Sequence, residues 1–390
     1  MRITGIRATP VAVPFRRDET WAFGRRRGLI SVLVEVDTDA GVTGLGEASA
    51  YPAAPIVVQT LCSIEPLVLG EDPFRIERLV KRVDVVGTWH HMRAQSPALA
   101  AVECACWDIV GKVCGQPLVN LFGGRFHDRV PYFWYVSGDT PEDVKEAARA
   151  GGAAGFTTFY LKVGSPRPAD DVERVAALRD GAGPDALIRV DANEAWSPGT
   201  AIRVIGELSR YGVELAEQPT SGRNLAEMAY VRSRVDVPLL ANEASWTRYD
   251  QLQVIRAGAA DVLSVDQQMD GGLLNLKRSA GLCEAAGLPV LKHSLGELGV
   301  AQTAGLHVLA ATPNVLHASQ SYAALLAGDV IGAPPEYVRG ALAPPEGPGL
   351  GVTLDRDAVA RYAELYATST EGFAFHDPER LAASPSMPRA

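Results

Sequence analysis

Three short β-rich runs of this chain each end in an acid: Asp191 in RVDANEAW, Glu217 in LAEQP and Glu243 in LLANEA, spaced 26 residues apart. A strand–helix repeat of that length returns a barrel chain to the same rim, so the three carboxylates meet at the C-terminal strand ends. Carboxylates with no His or Cys among them form a hard oxygen donor set, which suits Mg²⁺ with positions left for water and substrate oxygens. Three unrelated strand-end acids serving as caps or loop groups would be the bland alternative; the equal spacing argues against it.

Two groups able to move protons flank these acids. Lys162 ends TFYLKVG ahead of them, and His293 ends LPVLKHS behind them. On a closed barrel they fall on opposite sides of the mouth with the metal between, each facing one side of a substrate carbon. Asp266, ending DVLSVD, is the natural orienting partner of His293, because a carboxylate on one imidazole nitrogen fixes the tautomer and raises the basicity of the other. Asn193, two residues beyond Asp191, either touches the substrate or shapes the turn that caps the next helix.

These residues need a scaffold. Beyond about Val130, TFYLKV, ALIRVD, VELAE, PLLANE, DVLSVD and LPVLKH alternate with helix-length amphipathic segments, the rhythm of βα units on a parallel sheet. Six such strands suit a closed barrel better than an open sheet. Trp134 and Tyr135 fall on its expected first strand, where they line the pocket or pack. Upstream, LISVLVEVDTDAGVTGLGEA reads as two strands joined at Asp39, Ala40 and Gly41. ALAAVECACWDIVGKVCG reads as a buried helix stopped by a glycine. A Pro- and Gly-rich stretch after Pro344 leads to a last helix in LDRDAVARYAEL. The expected organisation is an α+β domain over residues 1–125, a barrel over 126–345, and a C-terminal segment, 346–390, that packs back on the first domain.

The 390 residues exceed what one compact core usually holds. With 47% hydrophobic and 21% charged residues, disordered and fibrous classes are excluded. Lys and Arg total 37 against 46 Asp and Glu, a net charge of −9. That sign is wrong for nucleic acid or anionic lipid, so neither is an expected partner. Five cysteines without a CxxC pair fit a reduced, cytoplasmic compartment. The opening MRITGIRATPVAVPF has no leader pattern, and no apolar run is long enough to span a membrane.

Together these residues resemble the enolase superfamily, and within it the mandelate racemase subgroup. The resemblance runs through GVTGLGEA, AAVECACWDIVGKVCGQPLVNLFGG, the Asp191, Glu217 and Glu243 triad, the Asp266 and His293 pair, and PGLGVTLD. It implies a modified TIM barrel, (β/α)7β, under an α+β capping domain that the C-terminal segment completes. It also implies one Mg²⁺ per subunit, a symmetric homo-oligomer, and a reaction that begins by removing the proton α to a carboxylate. Such a proton is too weakly acidic for a bare side chain near pH 7, so the developing charge needs a divalent ion. By the resemblance Lys162 is the base on one face and His293 a base or acid on the other; a lysine in that role needs a lowered pKa.

The chain departs from the subgroup twice. Tyr160 stands where Lys-x-Lys has its first lysine, and Ser319, followed by Gln320, stands where the last strand often carries a Glu. Tyr160, Ser319 and Gln320 are therefore expected at the substrate carboxylate. PFRRDETWAFGRRRG, with Arg16, Arg17, Arg25, Arg26 and Arg27 around Trp21 and Phe23, sits where the subgroup places a mobile specificity lid. Its arginines would draw an anionic substrate, and Trp21 is its candidate contact. His90 and His91 show no metal spacing and read as surface residues.

The expected ligand is a small anionic carboxylate. The leading expectation is dehydration of a sugar acid, an aldonate or aldarate, to a 2-keto-3-deoxy acid; the alternative is racemisation or epimerisation of a 2-hydroxy acid. An inert member with a structural or binding role would show a damaged set of site residues, and this set is complete. Cycloisomerases and dipeptide epimerases of the neighbouring subgroup carry a lysine where this chain has Asp266.

Overall fold

The computed structural model describes residues 1–22, 24–50, 53–88, 95–369 and 371–373; Phe23, His90 and His91 lie outside them. The first layer is an antiparallel sheet of β1 (Ile3–Trp21), β2 (Gly24–Thr38) and β3 (Thr43–Ser49), in that order. Gly41, at φ 74°, makes the turn between β2 and β3. Pairing of β1 with β2 runs from Ile3 opposite Thr38 to Trp21 opposite Gly24, broken by an irregularity between Pro14 and Glu19. The arginine-rich segment is thus the far end of a long hairpin.

Helices α1 (Ala54–Val68), α2 (Ile76–Thr88) and α3 (Ser96–Cys114) cover this sheet. Val32, Val34 and Val36 of β2 share a core with Leu61, Leu79, Val102 and Ile109. Helix α3 lies so close to β3 that a Cβ on Gly46 would sit 1.9 Å from the Ala101 carbonyl oxygen. The helix stops at left-handed Gly115. Cys104 and Cys106 are buried in it, whereas Cys114, at its last residue, is exposed.

After β4 (Val130–Pro131), seven strands form one parallel sheet in chain order. They are β5 (Trp134–Val136), β6 (Thr158–Lys162), β7 (Leu187–Asp191), β8 (Val213–Glu217), β9 (Leu239–Ala241), β10 (Val262–Val265) and β11 (Val290–Lys292). Residues 315–320 join its two ends. Val315 bridges to Val290 and Gln320 N–H donates to the Lys292 carbonyl, while Ser319 bonds the backbone of Pro131 and Phe133. A short strand, β12 (Ala341–Leu342), pairs with β4. The final helix, Arg356–Thr368, returns to pack on β1, and Arg356 pairs with Glu35 of β2 at 2.5 Å. No helix among the described residues is long and apolar enough to cross a membrane.

Buried carboxylates tie the two layers together by serving the unpaired N–H groups that begin every helix. Glu47 of β3 accepts from Leu298 and Ala301 N–H at 2.7 and 2.8 Å, at the start of helix Gly299–Ala310. Glu103 of α3 accepts from Leu273 and Leu274 N–H at 2.8 and 2.9 Å, and from the Trp107 indole at 2.8 Å. A Cβ on Gly272 would meet the Glu103 carboxyl at 2.6 Å, so glycine there makes room for the tie.

Burial outweighs these donors and pushes the Glu103 carboxyl from 4.5 up to about 7. The native state then holds a proton that the unfolded chain has already released. That stabilisation is complete below pH 4.5 and is lost as the pH rises through 7. Urea unfolding at pH 5 and pH 8 is expected to show the wild type losing more stability than Glu103→Gln, by on the order of 1–3 kcal/mol. Equal losses would contradict this assignment.

Candidate active site

Parallel register sets the first three site residues in a row: Lys162 lies opposite Asp191, and Asp191 opposite Glu217. Glu243 follows just beyond β9, in the turn Glu243–Ser245. Asp191 and Glu217 are buried, and Glu243 is partly buried. Lys162 Nζ donates to Asp191 Oδ2 at 2.6 Å, Tyr160 OH donates to the same oxygen, and Asn193 N–H donates to Oδ1 at 2.7 Å. Asn193 sits in a left-handed turn at φ 43°, and its Nδ2 donates to Glu243 Oε1 at 2.8 Å, spanning two of the acids.

The electrostatics follow from this crowding. Desolvation, then the nearby Asp191 charge, pushes Glu243 up to about 8 and Glu217 well above the ordinary carboxylate range. Burial by itself would lower Lys162, but Asp191 and further anions hold its pKa above the ordinary lysine value. The expected lowered pKa is therefore not what the side chains alone produce.

Asp191 is drawn towards Lys162 and Tyr160, and no three His, Cys, Asp or Glu side chains among the described residues converge as a ready coordination cluster. In kind and charge the residues nevertheless fit Mg²⁺. They bring only carboxylate and amide oxygens, and Glu243 Oε2 and Asn193 Oδ1 are buried without a hydrogen-bond partner among the described residues. Asp191, Glu217 and Glu243 would hold the ion.

Lys162, Asn193, Glu243 and His293 all line a solvent-open cavity of about 180 Å³. His293 Nδ1 lies 2.8 Å from Asp266 Oδ2, and Asp266 is itself fixed by Gln268 N–H at 2.6 Å on its other oxygen. With Nδ1 so engaged, Nε2 is the nitrogen that can exchange a proton with a ligand.

Of the remaining expected contacts, Trp21 and Gln320 line the cavity. Tyr160 and Ser319 are absent from its walls. Tyr160 is 1% exposed, its ring stacked on Phe133 at 4.3 Å, and its hydroxyl goes to Asp191. Ser319 is fully buried, and its Oγ accepts from Lys292 N–H at 3.1 Å within the wall. Trp134 packs outward, donating Nε1–H to the Ala147 carbonyl.

Glu19 lines the cavity without having been singled out from the sequence, and Arg26 is the one of the five hairpin arginines that lines it. Glu19 and Arg26, near the hairpin tip, form an ion pair at 2.5 Å with side chains only 5% and 3% exposed. Glu19 also accepts from the Tyr322 and Tyr135 hydroxyls at 2.9 and 3.1 Å, and Arg26 lies over the Tyr322 ring at 5.0 Å. Gln320 Nε2 donates to both tyrosine oxygens. Burial would raise Glu19, but Arg26 and Lys162 hold its pKa below the ordinary carboxylate value. Losing one partner of such a pair leaves an uncompensated buried charge. Arg26→Met is expected to cost about 3–5 kcal/mol in urea unfolding, with most of the loss recovered in Glu19→Met/Arg26→Met. A single variant as stable as the wild type would contradict this.

Known proteins resemble this chain in sequence and fold. Residues 4–123 match the mandelate racemase / muconate lactonizing enzyme N-terminal domain, and residues 142–358 match the enolase C-terminal domain-like family. The N-succinyl-L-Arg/Lys racemase of Bacillus cereus is 31% identical over 318 residues, 79% of this chain and 84% of that protein. A probable glucarate dehydratase of Streptomyces coelicolor is 33% identical over 363 residues, 84% and 83% of the two chains. A solved enolase from Thermobispora bispora, complexed with magnesium and formate, superposes with a TM-score of 0.89 at 31% identity, covering 99% of this chain and 98% of that one. The similar proteins also include a chloromuconate cycloisomerase and a hydrophobic dipeptide epimerase.

Proposed function

The chain belongs to the mandelate racemase subgroup of the enolase superfamily, and from that premise we propose that it removes the proton α to a small substrate carboxylate and dehydrates a sugar acid, an aldonate or aldarate, to a 2-keto-3-deoxy acid. The observation that carries this reading is that Lys162 and the Asp266-bound His293 line one cavity together with Glu243. One of the two takes the α-proton, and the C–H electron pair becomes the new C=C bond as the β C–O bond breaks. His293, as imidazolium, protonates the departing hydroxyl so that it leaves as water. The resulting enol gives up its hydroxyl proton as the β-carbon takes one, which yields the keto acid.

Mg²⁺, when bound, offsets the Asp191 charge that now holds the Lys162 proton and stabilises the negative charge growing on the substrate carboxylate. Lys162 and Arg26 line the cavity with Asp191 and Glu19 as their ion-pair partners, and Gln320, beside the position where the subgroup often has a Glu, orients the Tyr135 and Tyr322 hydroxyls around Glu19.

Racemisation or epimerisation of a 2-hydroxy acid is the second reading. Lys162 and His293 on one cavity favour it as well, because inversion needs a proton-transfer group on each face of the carbon, and a racemase of Bacillus cereus is among the similar proteins. The paired Asp266 sets this chain apart from the lysine expected of cycloisomerases and dipeptide epimerases.

The test is incubation with Mg²⁺ in D₂O against a library of aldonates, aldarates and 2-hydroxy acids, with an EDTA control. Semicarbazide reports keto acid and NMR reports α-proton exchange. Keto acid that depends on Mg²⁺ and is lost in both Lys162→Ala and His293→Ala is expected. Exchange with inversion and no keto acid would move the function to a racemase or epimerase, and silence across the library would overturn the sugar-acid assignment.

A further inference from the structure

Resting on the reading of Asp191 as a metal ligand, we infer that Tyr160 is a positioning residue for that ligand and not a contact to the substrate. Tyr160 and Lys162 are two residues apart on β6, so their side chains share the inward face of the strand. Lys162 stands level with Asp191, while Tyr160 starts one layer deeper, opposite Arg189. Both nevertheless reach the same carboxylate oxygen, Oδ2, because the tyrosine ring spans the difference.

The ring has no other place to go. It stacks on Phe133 with an interplanar angle of 4°, meets the edge of Tyr135 at 4.9 Å, and is closed off from the cavity. Oδ2 therefore carries two donors from β6, and Oδ1 carries the Asn193 N–H, so the plane of the carboxylate is pinned from both ends. A second lysine at this depth would add another positive charge against the cation that Asp191 is to hold. A phenol donates the same hydrogen bond without charge, which orients the ligand at no electrostatic cost to the metal. The departure from Lys-x-Lys thus exchanges a substrate contact for an anchor on the metal ligand. Neutralising the substrate carboxylate falls to groups that line the cavity, which Tyr160 does not.

Titration of EDTA-treated protein with MgCl₂ by calorimetry tests this without any substrate. Tyr160→Phe is expected to bind Mg²⁺ about 10–100-fold more weakly than the wild type while keeping its melting temperature, with Asp191→Asn as the reference for loss of a ligand. Phe133→Leu, which keeps the hydroxyl but frees the ring, should fall between wild type and Tyr160→Phe; if Tyr160→Phe fails to fold, this variant carries the test. At saturating Mg²⁺ the substrate KM of Tyr160→Phe should match the wild type. Unchanged Mg²⁺ affinity with a raised KM would overturn the inference and return Tyr160 to the substrate. A wild type that binds no Mg²⁺ would overturn the metal site and this inference together. A wild type that binds Mg²⁺ but turns over no library acid would overturn only the proposed reaction, since the affinity comparison stands without it.

Discussion

Negative charge held out of water at the ends of β7, β8 and β9 is the constraint around which this molecule is built. Asp191, Glu217 and Glu243 crowd one rim of the sheet, and burial, then the nearby Asp191 charge, raises the proton affinity of Glu217 and Glu243. A buried charge is tolerated only when it is paired or coordinated. The chain answers in part with its own donors: Lys162 and Tyr160 on Asp191, and Asn193 between Asp191 and Glu243. The remaining buried oxygens fit a divalent ion, the ion that the proposed α-proton abstraction would use. Site stability and site chemistry therefore rest on one requirement.

A second buried ion pair extends this logic to the roof. Glu19 and Arg26 come from the tip of the β1–β2 hairpin, yet they lie against Tyr135 and Tyr322, which come from the barrel side. The hairpin is thereby held onto the cavity by charge and hydroxyl groups as well as by apolar contact. The deeper ties of Glu47 and Glu103 to helix starts hold the two layers at a fixed distance, so the tip reaches the rim in a defined position.

The scaffold was readable where one physical period set it. Strand-end acids at a constant repeat, and an acid one repeat before a histidine, point to a shared rim regardless of loop detail, and α3 announced itself by helical spacing and a terminal glycine. Arg26 was not readable, because five arginines lie in one short segment and the irregularity between Pro14 and Glu19 decides which of them turns inward. Tyr160 and Ser319 lie outside the cavity lining for a different reason. Motif position marks the strand but not how deep in the wall a side chain ends, and Ser319 lies on a segment with no strand-like pattern in the sequence.

The central claim is that Lys162 and His293 serve opposite faces of one substrate carbon. Its most direct test is α-proton exchange in D₂O, followed by NMR, for both C2 epimers of a 2-hydroxy acid with Lys162→Ala and His293→Asn. The account predicts that each variant loses exchange on one epimer and retains it on the other, with the losses reversed between the two variants. If both variants lose exchange on the same epimer alone, the two groups share a face and the account is contradicted.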